Sequence, residues 1–191
     1  VKLADLMAIS RISLLPTVWT NTLTGVALAG GSWDEPHLPL LLVAFSLFYI
    51  GGMWLNDAFD HRFDAYSRPD RPIPAGAIAA RTAFAVGFGM LAIGWIVLTV
   101  TGLSLTDDPS WLPSSYGLGL TATIILYDAW HKQNPIGPLL MSTCRMLIYI
   151  TSTVSIAGGV SLAAIQAAVA LQAYIIGLSY AAKAHHQRRS R

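Results

Sequence analysis

LNDAFDHRFDAYSRPDRPIP, residues 55–74, sets Asp57, Asp60, Asp64 and Asp70 among Arg62, Arg68 and Arg71. It follows an apolar run long enough to cross a bilayer. Asn56, Asp60 and Asp64 are spaced i, i+4, i+8, so on a helix continued past the membrane surface they stack along one face, with Asp57 at its edge. This is a helix C-terminal end, where the backbone dipole is negative and carboxylates are disfavoured. The arrangement is poor for stability unless a cation compensates. Carboxylates with one amide form an oxygen-only donor set that suits Mg²⁺, which keeps few protein ligands and bridges them to phosphates. The stretch therefore reads as a site for a Mg²⁺-bound phosphate group at the mouth of a membrane cavity. The competing reading is a solvated, salt-bridged loop. Arg62, Arg68, Arg71 and Arg81 either neutralise a diphosphate or serve only as positive-inside residues.

The rest of the chain supplies the membrane. Of 191 residues, 54% are hydrophobic and 12% charged, against about 25% charged in soluble domains; mean hydropathy is +0.54. The net charge of +2 is not massed in one patch, and no nucleic-acid partner is expected. The one cysteine, Cys144, excludes an internal disulfide and reads as a small buried side chain. Six apolar segments can span: residues 6–29, 38–55, 79–103, 111–127, 138–158 and 162–182. With the N-terminus cytoplasmic, the outer loops 30–37, 101–110 and 158–161 carry Asp34, Glu35, Asp107 and Asp108 but no Lys or Arg. All twelve basic residues then lie on or near the inner side, which satisfies the positive-inside rule. The expectation is a single domain over residues 1–191: an integral, multi-pass protein of a bacterial-type inner membrane, its Asp-rich loop cytoplasmic.

At "NDAFDHRFD" the chain resembles the UbiA superfamily of intramembrane prenyltransferases. Asn56, Asp57, Asp60 and Asp64 fill every specified position of that family's first signature, N-D-x-x-D-x-x-x-D. "RPDRPIPAG" is similar to the Arg-Pro-rich stretch that follows it. "RISLLPTVWTNTLTGVALA", with Arg11 and Asn21, resembles the family's first helix. "YDAWHKQNPIGPLLMSTCR", with Tyr127, Lys132 and Arg145, resembles the segment joining helices four and five. The resemblance implies an all-α transmembrane bundle, with about six of the family's roughly nine spans present here. It implies transfer of a polyprenyl group from its diphosphate to an acceptor, with loss of pyrophosphate. Mg²⁺ is expected on Asn56, Asp60 and Asp64. Catalytic roles fall to Asp60, Asp64, Lys132 and Arg145, and substrate binding to Arg11, Asn56, Asp57, Arg68, Arg71, Tyr127 and Lys132. The partners are a prenyl diphosphate, an acceptor and the bilayer.

Several of these residues carry a second reading. Arg145, within the fifth span, is either functional or a side chain snorkelling to the inner surface. Arg11 has a structural or a head-group role. Asn21 reads as a helix-packing hydrogen bond, and His131 as an interfacial bystander. The family's second Asp-rich motif has no counterpart in "GLSYAAKAHHQRRSR", and no acid follows Asp128. Three readings follow: a C-terminally truncated chain, a diverged branch in which Lys183 and the basic tail meet the phosphates, or a catalytically silent prenyl-lipid-binding subunit. His185 and His186 read as a solvated cap. A transporter is disfavoured because no acid lies at mid-span. A CDP-alcohol phosphatidyltransferase lacks its D-G-x-x-A-R, and a soluble prenyl synthase fails on hydropathy.

Overall fold

A computed structural model describes residues 2–104, 109–132 and 134–189, the side chains of residues 104 and 183–189 excepted. The expected outer-loop acids Asp107 and Asp108, and the side chains of Lys183, His185 and His186, lie outside the described residues. The elements are α1 (Leu3–Ser10), a 3-10 turn (Ile12–Leu14), α2 (Leu15–Leu28), α3 (Leu38–Ser67), α4 (Ala80–Ser104), α5 (Leu112–Trp130), α6 (Gly137–Ala157) and α7 (Leu162–Arg189). There is no strand among the described residues.

Local chemistry sets the helix ends. Pro16, Pro39, Pro113 and Pro138 stand in the first two positions of α2, α3, α5 and α6. A missing N–H costs nothing there, and the fixed φ suits a helix start. α3 stops at Ser67, ahead of Arg68 and Pro69, as the restriction on a residue before proline requires. α6 closes on Gly158, whose φ of +67° permits a left-handed cap with its N–H on the Val154 carbonyl.

The helices form a ring in which α3 packs on α4, α4 on α5, α5 on α6, and α2 closes the circle between α6 and α3. α7 lies chiefly against α6. Val18, Leu41, Phe45, Phe48, Leu98 and Leu120 fill the centre of the main apolar core. Hydroxyls inside the helices bond back to their own backbone, as Thr22 does to Val18 and Ser152 to Ile148, so they bring no unsatisfied donor into the apolar layer.

Four helices are long and apolar enough to cross a membrane: Leu38–Ser67, Ala80–Leu103, Gly137–Ala157 and Leu162–Ala182. Two of the six expected spans differ from that. The segment read as one span over residues 6–29 is broken at Arg11, whose φ of +44° turns the chain between α1 and the 3-10 turn, leaving α2 with 14 residues. α5 has 19 residues, and its serines, threonines and Asp128 hold its hydropathy down.

The α3–α4 seam is tight because glycines face each other. A Cβ on Gly51 would lie 2.9 Å from the Gly87 carbonyl oxygen, and one on Gly87 would lie 2.7 Å from Leu55 Cγ and 3.0 Å from the Gly51 carbonyl oxygen. Small residues permit such backbone approach in membrane bundles. Gly51→Ala and Gly87→Ala are expected to lower the thermal midpoint in detergent, at a cost of about 1–3 kcal/mol each. Gly89→Ala, whose Cβ meets nothing within 4 Å, is expected to be neutral or stabilising. A Gly87→Ala protein as stable as Gly89→Ala would show that the seam is not close-packed.

Candidate active site

The helix α3 runs on past its apolar part as a helix, as the i, i+4, i+8 spacing predicts. The acidic face of its polar end is buried. Asn56, Asp57, Asp60 and Asp64 are 6%, 6%, 8% and 3% exposed. Isolated buried carboxylates are costly, so each needs a partner. The chain supplies cations from three directions.

Arg11 comes from the break between α1 and α2. Trp54 Nε1 donates to Ser10 Oγ at 3.0 Å and the Tyr49 hydroxyl to the Arg11 carbonyl at 3.2 Å, which ties the break to α3. A left-handed backbone at a non-glycine residue is strained, and here it accompanies a guanidinium placed at the acidic end. Arg11 Nη2 lies 2.9 Å from Asp57 Oδ1 and 3.4 Å from Asn56 Oδ1. Arg71 comes from the loop after α3. Ile73 and Ile78 anchor that loop in a small apolar cluster with Ile9, Trp54 and Ala58. Arg71 Nη1 then donates to Asp64 Oδ2 at 2.7 Å and to Asp57 Oδ1 at 3.2 Å.

The third direction is the C-terminal end of α5. Lys132 Nζ stands 2.9 Å from Asp60 Oδ1, off the angle of a hydrogen bond, and 3.7 Å above the Phe63 ring. His131 Nε2 stands 3.5 Å from Asp60 Oδ2, and its ring stacks on Tyr127 with centroids 4.9 Å apart. The expectation of a bystander at His131 is thus replaced by a partner of Asp60, because the last turn of α5 faces α3. The Asp60 carboxylate holds the His131 pKa above its ordinary value. Of the other expected site residues, Arg68 is exposed and makes no ion pair among the described residues; its backbone N–H caps α3 on the Asp64 carbonyl at 2.8 Å. Arg145 lies elsewhere, its Nη1 on Thr17 Oγ1 at 2.9 Å.

One buried acid of the site was not among those expected. Asp128, 3% exposed, accepts from Asn56 Nδ2 at 3.1 Å through Oδ1, while its Oδ2 has no partner among the described residues. The signal available in sequence was an acid in the last turn of an otherwise apolar helix. Asp128 pins the Asn56 amide so that Oδ1 turns toward Arg11.

Three carboxylates therefore meet three permanent cations and one histidine, and the fourth, Asp128, meets the Asn56 amide. The donors are all oxygen, and Asp128 Oδ2 is free to accept, which fits Mg²⁺ chemically. No three acidic, histidine or cysteine side chains among the described residues are already gathered around one point. Asp57, Asp60 and Asp64 are instead turned to their own cations.

This geometry makes Arg71 and Arg68 unequal. Arg71→Gln is expected to lower the thermal midpoint well below that of Arg68→Gln. Combining it with Asp64→Asn is expected to recover part of the loss, with a coupling of about 1 kcal/mol or more. Equal midpoints for the two arginine variants contradict the arrangement. For His131 the folded pKa is raised, so its pairing contributes fully below the ordinary value and is lost as pH rises through the raised one. The stability cost of His131→Gln, measured by thermal denaturation, should thus be larger near pH ~6 than near pH ~9.

Three comparisons agree with the fold. Digeranylgeranylglyceryl phosphate synthase of Methanothrix thermoacetophila is 30% identical over 142 residues, covering 73% of this chain and 48% of that protein. The protein of the same name from Pyrococcus horikoshii is 29% identical over 147 residues, 75% of this chain and 49% of that one. The chain thus spans about half the length of these curated relatives. A solved chain from work on digeranylgeranylglyceryl phosphate synthase in membranes superposes with a TM-score of 0.72 at 18% identity, over 91% of this chain and 58% of that chain, and so shares its fold. Residues 16–190 match the model of the UbiA prenyltransferase family, from just after Arg11 to the end of α7, and the chain belongs to that family.

Proposed function

We propose that this chain carries the diphosphate-binding portion of a Mg²⁺-dependent intramembrane prenyltransferase, which moves a polyprenyl group from its diphosphate to an acceptor and releases pyrophosphate. The observation that carries this reading is the buried carboxylate cluster at the end of α3, faced by cations from the α1–α2 break, the loop after α3 and the end of α5. A purely structural role would be served as well by apolar residues, since buried ion pairs add little net stability. The relatives' name, with its geranylgeranyl groups, agrees with a long isoprenoid donor.

Asn56, Asp60 and Asp64 would hold the metal. Mg²⁺ bound there would neutralise the diphosphate and make it a better leaving group. Asp128 keeps the Asn56 oxygen available by holding its amide nitrogen. Lys132 is the cation with the least settled partner, off-angle to Asp60 and resting on Phe63, and is placed to transfer to a phosphate oxygen. Arg11 and Arg71 hold the remaining negative charge. The apolar ring of helices beyond the cluster would exclude water from the allylic cation. In the topology that the basic residues support, this end faces the cytoplasm.

With geranylgeranyl diphosphate as donor, Asp60→Asn and Asp64→Asn are each expected to lower Mg²⁺-dependent pyrophosphate release by about 100-fold or more. Both should leave membrane insertion and helix content unchanged. Mn²⁺ binding, followed by electron paramagnetic resonance, should weaken in the same variants. Undiminished release in both variants removes the metal role, and a chain that binds the donor without ever releasing pyrophosphate is not an enzyme by itself.

A further inference from the structure

The eight residues of α1 span about 12 Å. A helix that short is not stable alone in water. Its buried residues, Ile9 and Ser10, both stand at its C-terminal end. Ile9 sits in the small apolar cluster with Trp54, Ala58, Ile73 and Ile78, and Ser10 Oγ accepts from Trp54 Nε1 at 3.0 Å. The rest of the helix is two-sided. Leu3, Leu6 and Met7 recur at i, i+3 and i+4, and so share one face. They are 72%, 37% and 51% exposed. Lys2, Asp5 and Ile9, at i, i+3 and i+7, share the other, where the Lys2 N–H donates to Asp5 Oδ2 at 2.9 Å.

The depth of α1 follows from its two ends. Trp54 lies in the last apolar turn of α3, two residues before Asn56, and a tryptophan in that position marks the boundary between hydrocarbon and head groups. On the far side of the break, no charged residue occurs from Ile12 to Trp33, so the chain enters the apolar layer directly after Arg11. α1 therefore stands at the boundary itself, with its charges on one side and three large apolar side chains on the other. That division suits a helix lying in the plane of a membrane interface. Water would leave the apolar face uncompensated. A protein partner is a poor fit, since a stable interface takes roughly 800 Å² from each side and this face offers three large side chains. The bilayer that the spanning helices require is already present at this depth.

We propose that α1 is an interfacial membrane anchor: Leu3, Leu6 and Met7 lie among the head groups and upper acyl chains of the leaflet at the acidic end, and Lys2 faces lipid phosphates. The anchor acts on the site through the break. Arg11 follows α1 directly, in a left-handed conformation that is strained for a non-glycine residue. Its guanidinium reaches Asp57 Oδ1 at 2.9 Å. A helix held by lipid along one face and by Trp54 at its end holds that turn, so bilayer contact supports the Arg11–Asp57 pair. The proposal stands apart from the prenyl-transfer reading and needs no turnover to test.

The test uses the full chain in nanodiscs of phosphatidylcholine and phosphatidylglycerol. Cys144, the one cysteine, is replaced by Cys144→Ser, and a nitroxide is attached at Lys2→Cys, Leu3→Cys, Leu6→Cys or Met7→Cys. Electron paramagnetic resonance then compares collision with oxygen, which concentrates in the bilayer, and with a nickel chelate, which stays in water. The oxygen-to-nickel ratio at Leu3, Leu6 and Met7 should exceed that at Lys2 severalfold. Nickel access at Leu6 and Met7 equal to that at Lys2 puts the face in water and overturns the proposal. An immobilised label shielded from both reagents puts another protein segment on the face and overturns it as well. For the hold on Arg11, Leu6→Ser combined with Met7→Ser should lower the thermal midpoint in the same nanodiscs. The loss should be smaller in an Arg11→Gln background, because groups acting through one turn do not add. Equal losses in the two backgrounds would overturn that hold.

Discussion

Three carboxylates buried at the end of α3, with a fourth at the end of α5, impose a demand that much of that end of the structure meets. Uncompensated, they could not stay ionised out of water. Arg11, Arg71, Lys132 and His131 answer them from three separate elements. Meeting that demand accounts for features that otherwise look costly: the left-handed backbone at Arg11 and the return of the proline-rich loop over the end of α3. The Ile73–Ile78 plug is the apolar counterpart of the same arrangement, since it is what holds Arg71 in reach.

Asp57, Asp60 and Asp64 each face a cation, and in the proposed reaction each of those cations could face a phosphate instead. With the proposed metal and diphosphate bound together, the charges would regroup without leaving one buried alone. Asp128 stands apart from this exchange. It is tied to Asn56 rather than to a cation, and so holds the orientation of that amide.

The two charged centres differ in the same terms. The cluster at the end of α3 is compensated within the chain, whereas Arg145 is held only by a hydroxyl and an amide. Trp19 on Ser46 sets the register of α2 against α3, and Trp54 on Ser10 ties the end of α1 to α3.

Composition, apolar run lengths and the i, i+4, i+8 spacing of Asn56, Asp60 and Asp64 were enough to establish a helical membrane bundle and to locate its acidic end. These are properties of a helix taken alone, and a helix's period is written in its own residues. The break at Arg11 was not legible, because a left-handed residue inside an apolar run leaves no pattern when glycine is not used. Nor could sequence show that Arg71 rather than Arg68 meets Asp57 and Asp64, that His131 pairs with Asp60, or that Asp128 holds Asn56. Those pairings join residues up to 72 positions apart. They are decided by which helix faces pack together, and through glycine at Gly51 and Gly87 by how closely two of them can approach. The sequence by itself determined which charges the membrane must accommodate; the tertiary structure decided which of them are paired with one another, and that Arg145 has no ion-pair partner among the described residues.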